Sequence, residues 1–276
     1  ASIGFNQKIH FFRALGLFVE AARCGNDFKI VEEPQFTLNG PMVDCSRNSV
    51  VSVKSLKKLL TIMALMGLNL CMMYTEDTYE IEDEPYFGYM RGKYTFEELK
   101  ECDDYADIFG IEMMPCIQTL GHLGQALKWN YANDIRDNQD ILLVGEDKTY
   151  EFIENMIKSA SKPFRSKRIH IGMDEAYFVG RGTYLDKHGY RESFSLLNEH
   201  LKRVTQITNK YGLKPMMWSD MYFRLGSKTG DYYDLDAVIP QKAIDNAPKD
   251  VQLVYWDYYH EDEEFYIDYI RKHKAF

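Results

Sequence analysis

The chain has 276 residues, 45% of them hydrophobic and 14% aromatic, which is enough for one large core or two small ones. A formal net charge of −9 with no basic cluster argues against a nucleic-acid partner. Five cysteines, none in a C-x-x-C pair and all in apolar contexts, read as reduced, buried thiols of a cytoplasmic protein.

The first apolar stretch, Ile9 to Phe18, contains His10 and Arg13. It is a poor signal peptide and too short to span a membrane, so no membrane partner is expected. Ile9, Phe12, Leu15 and Val19 instead have the spacing of an amphipathic helix. Residues 1–39 read as this helix and a linker, and 40–276 as the main domain.

From Gly40 short apolar runs alternate with helical patterns. The runs are Pro41–Cys45, Leu68–Tyr74, Ile111–Ile117, Arg168–Gly172, Lys214–Trp218, Ala237–Ile239 and Val251–Trp256. Between them Val53, Leu56, Leu60 and Met63, then Leu99, Cys102, Ala106 and Phe109, have helical spacing. Thr95 with Glu98 forms a capping box ahead of the second set. Tyr150, Ile153 and Ile157 mark another helix, as do Leu197, Leu201 and Val204; a last one is expected over about Glu263 to His273.

Strand–helix alternation of this length predicts an α/β fold with a parallel sheet. No G-x-G-x-x-G or P-loop is present, and polar and aromatic residues gather after almost every strand. Both features predict a (β/α)8 barrel of the TIM type rather than a doubly wound sheet. Seven strands are visible where eight close a barrel. The expectation is an incomplete barrel lacking its last strand, with open edges prone to self-association.

The most specific segment is Ile169-His170-Ile171-Gly172-Met173-Asp174-Glu175-Ala176. An apolar strand that delivers two carboxylates at its C-terminal end is a common way to build an α/β active site. Neighbouring strand residues point to opposite faces, so both acids share a pocket only if the strand ends there.

The run His170 to Glu175 resembles the catalytic signature of glycoside hydrolase family 20, the β-N-acetylhexosaminidases. Four further segments resemble that family in the same order: Asp44-Cys45-Ser46-Arg47, Thr75-Glu76-Asp77, Pro115 through Gly121-His122, and Trp218. Met42 to Asn48, Tyr74 to Tyr79, Pro85 to Gly92 and Met217 to Met221 look most like the branch holding bacterial N-acetylglucosaminidases and vertebrate hexosaminidase D. Two departures stand out. Gln118 occupies a position where many relatives have aspartate, and the eighth strand, with its pocket tryptophan, is absent.

The resemblance implies an exo-acting hydrolase that removes terminal N-acetylglucosamine or N-acetylgalactosamine from β-linked glycans. It also implies substrate-assisted chemistry, in which the sugar's own acetamido oxygen attacks the anomeric carbon. Glu175 would be the general acid and base, its pKa raised by the neighbouring acid; Asp174 would orient the acetamido group. Arg47 would clamp sugar hydroxyls, and His122 and Asp77 would form a relay behind Glu175, with Glu76 nearby. Trp218 would wall the acetamido methyl, and Tyr258 would bind its oxygen. Asp220, Trp256 and Asp257 complete the expected sugar contacts. No metal or cofactor is expected. Two alternatives remain at this point. One is an inactive sugar-binding fragment; the other is a metal-dependent barrel hydrolase using His122, His170, Asp174 and Asp220.

Overall fold

The computed structural model describes residues 2–25, 27–47 and 49–276; Asn48, expected just after the first strand, lies outside them. The first half of the chain holds α1 (Lys8–Arg23), β1 (Met42–Asp44), α2 (Val53–Met66), β2 (Leu70–Tyr74), α3 (Phe96–Phe109), β3 (Glu112–Cys116), the single turn α4 (Gly124–Leu127) and a 3₁₀ turn over Asn130–Asp134. The second half holds α5 (Asp147–Ser161), β4 (Arg168–His170), α6 (Thr183–His188), α7 (Ser193–Lys210), β5 (Lys214–Trp218), α8 (Asp220–Gly226), α9 (Gln241–Asn246), β6 (Gln252–Val254) and α10 (Glu263–His273).

The helices form where apolar spacing and caps agree. Leu56, Leu60, Met63 and Ala64 bury one face of α2, and the Ser52 hydroxyl accepts from the Ser55 amide at its start. α3 opens with the predicted capping box of Thr95 and Glu98 and buries Leu99, Cys102 and Ala106. Each large apolar side chain fully buried in this way stabilises the fold by roughly 1.5–3 kcal/mol. α1 lies outside this layer on α2, with Phe12 edge-on to Phe109 at 5.0 Å. Ile9 is its one fully buried residue, and Val19 is exposed. Cys24, expected to be buried, is exposed beyond the end of α1; the other four cysteines are buried and free.

The six strands make one parallel sheet in the order β1-β2-β3-β4-β5-β6. Each strand lies beside its sequence neighbour and the order never reverses, as in the wall of a barrel rather than a doubly wound sheet. Among the described residues, β1 pairs only with β2 and β6 only with β5, so the wall is open. The count is six and not seven, because Ala237–Ile239 is irregular. That run is only three residues long, stops at Pro240 and leaves Val238 67% exposed. Its single ladder-like bond, from the Val238 amide to Gly226 O, goes to the end of α8 and not to a strand.

Register lines up the strand ends. Asp44 pairs with Tyr74, Tyr74 with Cys116, Cys116 with His170 and His170 with Met216. One row across the sheet therefore launches the loops after β1 to β4, and these loops carry the candidate site.

Candidate active site

β4 ends at His170, and the next five residues do not continue as a strand. Gly172 (φ 72°), Met173 (φ 72°) and Glu175 (φ 56°) are all left-handed. Left-handed backbone costs a non-glycine residue on the order of 1–3 kcal/mol and persists only where surrounding contacts enforce it. Here it breaks the up-down alternation of a strand and brings both acid side chains to one imidazole. Two glycines make room for this. A Cβ on Gly172 would sit 2.1 Å from Gln118 Oε1 and 2.7 Å from Ile117 O. A Cβ on Gly121 would sit 2.9 Å from Asp174 O.

His122, itself left-handed at φ 55°, places Nε2 3.1 Å from Asp174 Oδ2 and 3.2 Å from Glu175 Oε2. The N–H lines up with neither oxygen well enough for a hydrogen bond, so the contact is a shared ion pair. Burial opposes charge on the ring, but the two carboxylates prevail and push its pKa up to about 10. The reciprocal effects hold both acids below the usual range. Burial pulls Asp174 upward, and His122 and Gln118 overcome it; for Glu175 the imidazole is the leading cause. The expectation that the neighbouring acid would raise Glu175 is therefore corrected: with an imidazolium between them, both carboxylates are ionised.

A polar chain extends from the pair to the first strand. Gln118 Nε2 donates to Asp174 Oδ1 (2.7 Å) and to the Tyr74 hydroxyl (3.0 Å), while its Oε1 accepts the Met173 amide (3.2 Å). The Tyr74 hydroxyl donates to Glu76 (3.2 Å), and Arg47 reaches it at 3.4 Å. Arg47 also pairs with Asp44 (2.8 Å) and Glu76 (3.5 Å). Arg47, Glu76, His122, Asp174 and Glu175 thus belong to one network. Gln118 and Tyr74 are the links that were not counted among the site residues. Tyr74 could have been found as the polar end of an otherwise apolar strand.

The remaining candidates fall elsewhere. Asp77 does not back His122: it is buried against Arg91, with Nε 2.9 Å from Oδ1, and Arg91 also donates to Ser46 O. Asp220 is fully buried, so it lies beneath the site and not on its surface. Its Oδ2 accepts the Glu175 amide at 3.0 Å. Burial, then the charge of Asp174, pushes the Asp220 pKa up to about 7, opposed by the Glu175 amide and the Trp256 indole. Trp218 packs on His170, ring centroids 4.3 Å apart. The His170 Nδ1 accepts the Gly172 amide, and burial lowers its pKa to about 4, so it is neutral and holds the bend. Trp256 rests against Tyr232 at 5.3 Å. Asp257 is occupied by its own loop, through Tyr255, the Tyr259 amide and His260. Tyr258, the expected acetamido partner, is 82% exposed against the Trp256 ring. Tyr232, not among the expected site residues, has its hydroxyl against Glu175 and helps keep it ionised; no motif in the sequence around it signals this role.

The arrangement offers a carboxylate pair on an imidazolium, a buried third carboxyl and a guanidinium at the rim. It can exchange a proton at Glu175 and hold an amide at Asp174. Comparison with known proteins finds a match of residues 36–265 to the family model described as glycosyl hydrolase family 20, catalytic domain. Beta-hexosaminidase 3 of Arabidopsis thaliana is 26% identical over 219 residues, 73% of this chain and 40% of that protein. Human hexosaminidase D is 26% identical over 220 residues, 75% of this chain and 42% of that protein. Among solved structures, the Vibrio harveyi exo-β-N-acetylglucosaminidase in complex with N-acetylglucosamine superposes with a TM-score of 0.67 at 21% identity, covering 88% of this chain and 41% of that one. The Bacteroides fragilis β-N-acetylhexosaminidase gives 0.66 at 22% identity, covering 87% and 48%. This chain spans less than half the length of each of these four proteins, and the fold it shares with the two solved structures is the TIM-barrel type.

Proposed function

The chain belongs to glycosyl hydrolase family 20, and from that premise we propose that it carries the core of an exo-β-N-acetylhexosaminidase acting by substrate-assisted hydrolysis. One observation carries the reading: Asp174 and Glu175 follow β4 as a bent pair gathered on His122. In the first step Glu175 gives a proton to the glycosidic oxygen as the bond from that oxygen to the anomeric carbon breaks. The acetamido carbonyl oxygen closes on the same carbon, and Asp174 accepts the acetamido N–H and faces the positive charge that develops. Water then attacks the anomeric carbon with Glu175 as base, and the anomeric configuration is retained. Glu175 is ionised before the sugar enters, so it must gain a proton on binding. The nearest source is the His122 imidazolium, 3.2 Å away, and a sugar that displaces water raises the proton affinity of Glu175. Arg47 and Glu76, linked through Tyr74, would hold sugar hydroxyls.

The test is turnover of 4-nitrophenyl N-acetyl-β-D-glucosaminide and its galactosaminide epimer, with product anomers followed by NMR. The β-anomer should form first. Glu175→Gln should lose about 10²–10⁴-fold on alkyl glycosides with poor leaving groups. Binding of N-acetylglucosamine without any turnover would favour a sugar-binding fragment instead.

A further inference from the structure

Asp220 stands out because nothing yet explains a third carboxyl beside a pair that already shares one cation. It is the first residue of α8, directly after β5, and has no exposed surface. One oxygen is engaged: Oδ2 accepts the Glu175 amide at 3.0 Å. The other, Oδ1, is buried without a partner. The charged groups that act on it are Asp174 and Glu175, both anionic, and the neighbouring Trp256 and Tyr233 are neutral. A salt bridge therefore does not account for its presence.

The bond to the Glu175 amide does. Glu175 sits at φ 56°, a conformation a glutamate does not hold unless something fixes it. Its carbonyl side is free of strand pairing, since the ladder between β4 and β5 stops with Trp218 N on Gly172 O. The Asp220 carboxyl is the group that grips the residue from below. We propose that Asp220 is a positioning residue for Glu175: from beneath the pocket it fixes the left-handed turn, and so the direction in which the Glu175 side chain meets the glycosidic oxygen. The base of the turn is itself pinned, because the Ser219 hydroxyl is held by Tyr233 (3.1 Å) and His273 (2.7 Å). β5 and the α10 helix thereby set the height of Asp220. The proposal rests on Glu175 being the acid of the hydrolase reading, but its structural half can be read without turnover.

The experiment compares the 276-residue chain with Asp220→Ala and Asp220→Asn by amide hydrogen exchange and by kinetics on 4-nitrophenyl N-acetyl-β-D-glucosaminide. In Asp220→Ala the Glu175 amide should exchange roughly tenfold faster, the loss of one buried hydrogen bond, while core amides of α7 keep their protection. Asparagine retains an acceptor, so Asp220→Asn should restore protection of Glu175. In kinetics the alanine variant should lose about tenfold or more in kcat with KM little changed, and asparagine should recover most of it. If Asp220→Ala does not fold, Asp220→Ser, too short to reach the amide, takes its place. An unchanged Glu175 amide in the truncated variant overturns the proposal, and so does a KM effect with kcat intact. A wild-type chain without turnover overturns the hydrolase reading, while the exchange result still decides whether Asp220 holds the turn.

Discussion

Replacing His122 with glutamine removes the one cation between Asp174 and Glu175 and keeps a polar side chain of similar reach. The size of the effect follows from linkage. The imidazole pKa stands at about 10 against an ordinary 6.5, an interval that at 1.36 kcal/mol per unit is on the order of 5 kcal/mol. The side chain is a fifth exposed, and pairs of this kind cost about 3–5 kcal/mol when one partner is removed, so about 3 kcal/mol is the working figure. The sign is that of a raised base: the stabilisation is complete below pH 6.5 and is lost as pH rises from there through 10. The lowered pKa values of Asp174 and Glu175 are the same attraction seen from the anions; that share is present above the ordinary carboxylate range and fades as pH falls. The assay is urea unfolding of both proteins at pH 6 to 10, followed by the fluorescence of the three tryptophans. Buried tyrosines and cysteines that ionise on unfolding weaken both proteins alike at high pH, so the difference between the curves is the measurement. The wild type should exceed the variant by about 3 kcal/mol near pH 7, and the gap should close towards pH 10. Parallel curves over that range would refute a shared imidazolium at this position.

Three further outcomes are expected. Asp174→Asn should weaken binding of a thiazoline mimic of the cyclised sugar by at least about 10²-fold, measured by inhibition or calorimetry. Gln118→Glu puts a carboxyl where the amide donates to Asp174 at 2.7 Å, so the two must share a proton; the acid limb of kcat/KM should move up by about one unit or more. Gly172→Ala, with a Cβ 2.1 Å from Gln118 Oε1 at φ 72°, should lose at least about 2 kcal/mol in a denaturation curve.

What could be read from the sequence was whatever depends on local pattern. Thr95 and Glu98 mark the start of α3 because a capping box is satisfied within four residues. The order of the site loops followed from strand–helix alternation, and Asp174-Glu175 was visible because His170-Ile171-Gly172 ahead of it makes an otherwise ordinary acidic pair specific. Features set by tertiary distance were not legible. Ala237–Ile239 has the apolar composition of a strand, yet its fate depends on whether a neighbouring strand is there to pair with it. Asp77 lies beside Glu76 in sequence, but packing turns it towards Arg91 and leaves Glu76 with Tyr74 and Arg47. Gln118 looked like a loss relative to aspartate, and only geometry reveals that its two-ended amide spans Asp174 and the Met173 backbone.

The charge balance of the site follows from these contacts. His122 is positive, Asp174 and Glu175 are negative, and Asp220 holds its proton up to about pH 7. Below that pH the cluster carries one net negative charge. Passing a proton from His122 to Glu175 leaves that sum unchanged, so arming the acid costs no new separated charge in a half-buried pocket. A neutral N-acetylhexosaminide gains little from the net charge, whereas the oxazolinium that forms from it is a cation beside Asp174. The attraction therefore grows along the reaction, which is the condition under which binding energy raises kcat and not merely affinity. A third carboxylate anion at Asp220 would add to the charge of Asp174 and Glu175 and hold the His122 proton more tightly. Burial, with the charge of Asp174 nearby, keeps the Asp220 carboxyl largely protonated below about pH 7, where its Oδ2 holds the Glu175 amide.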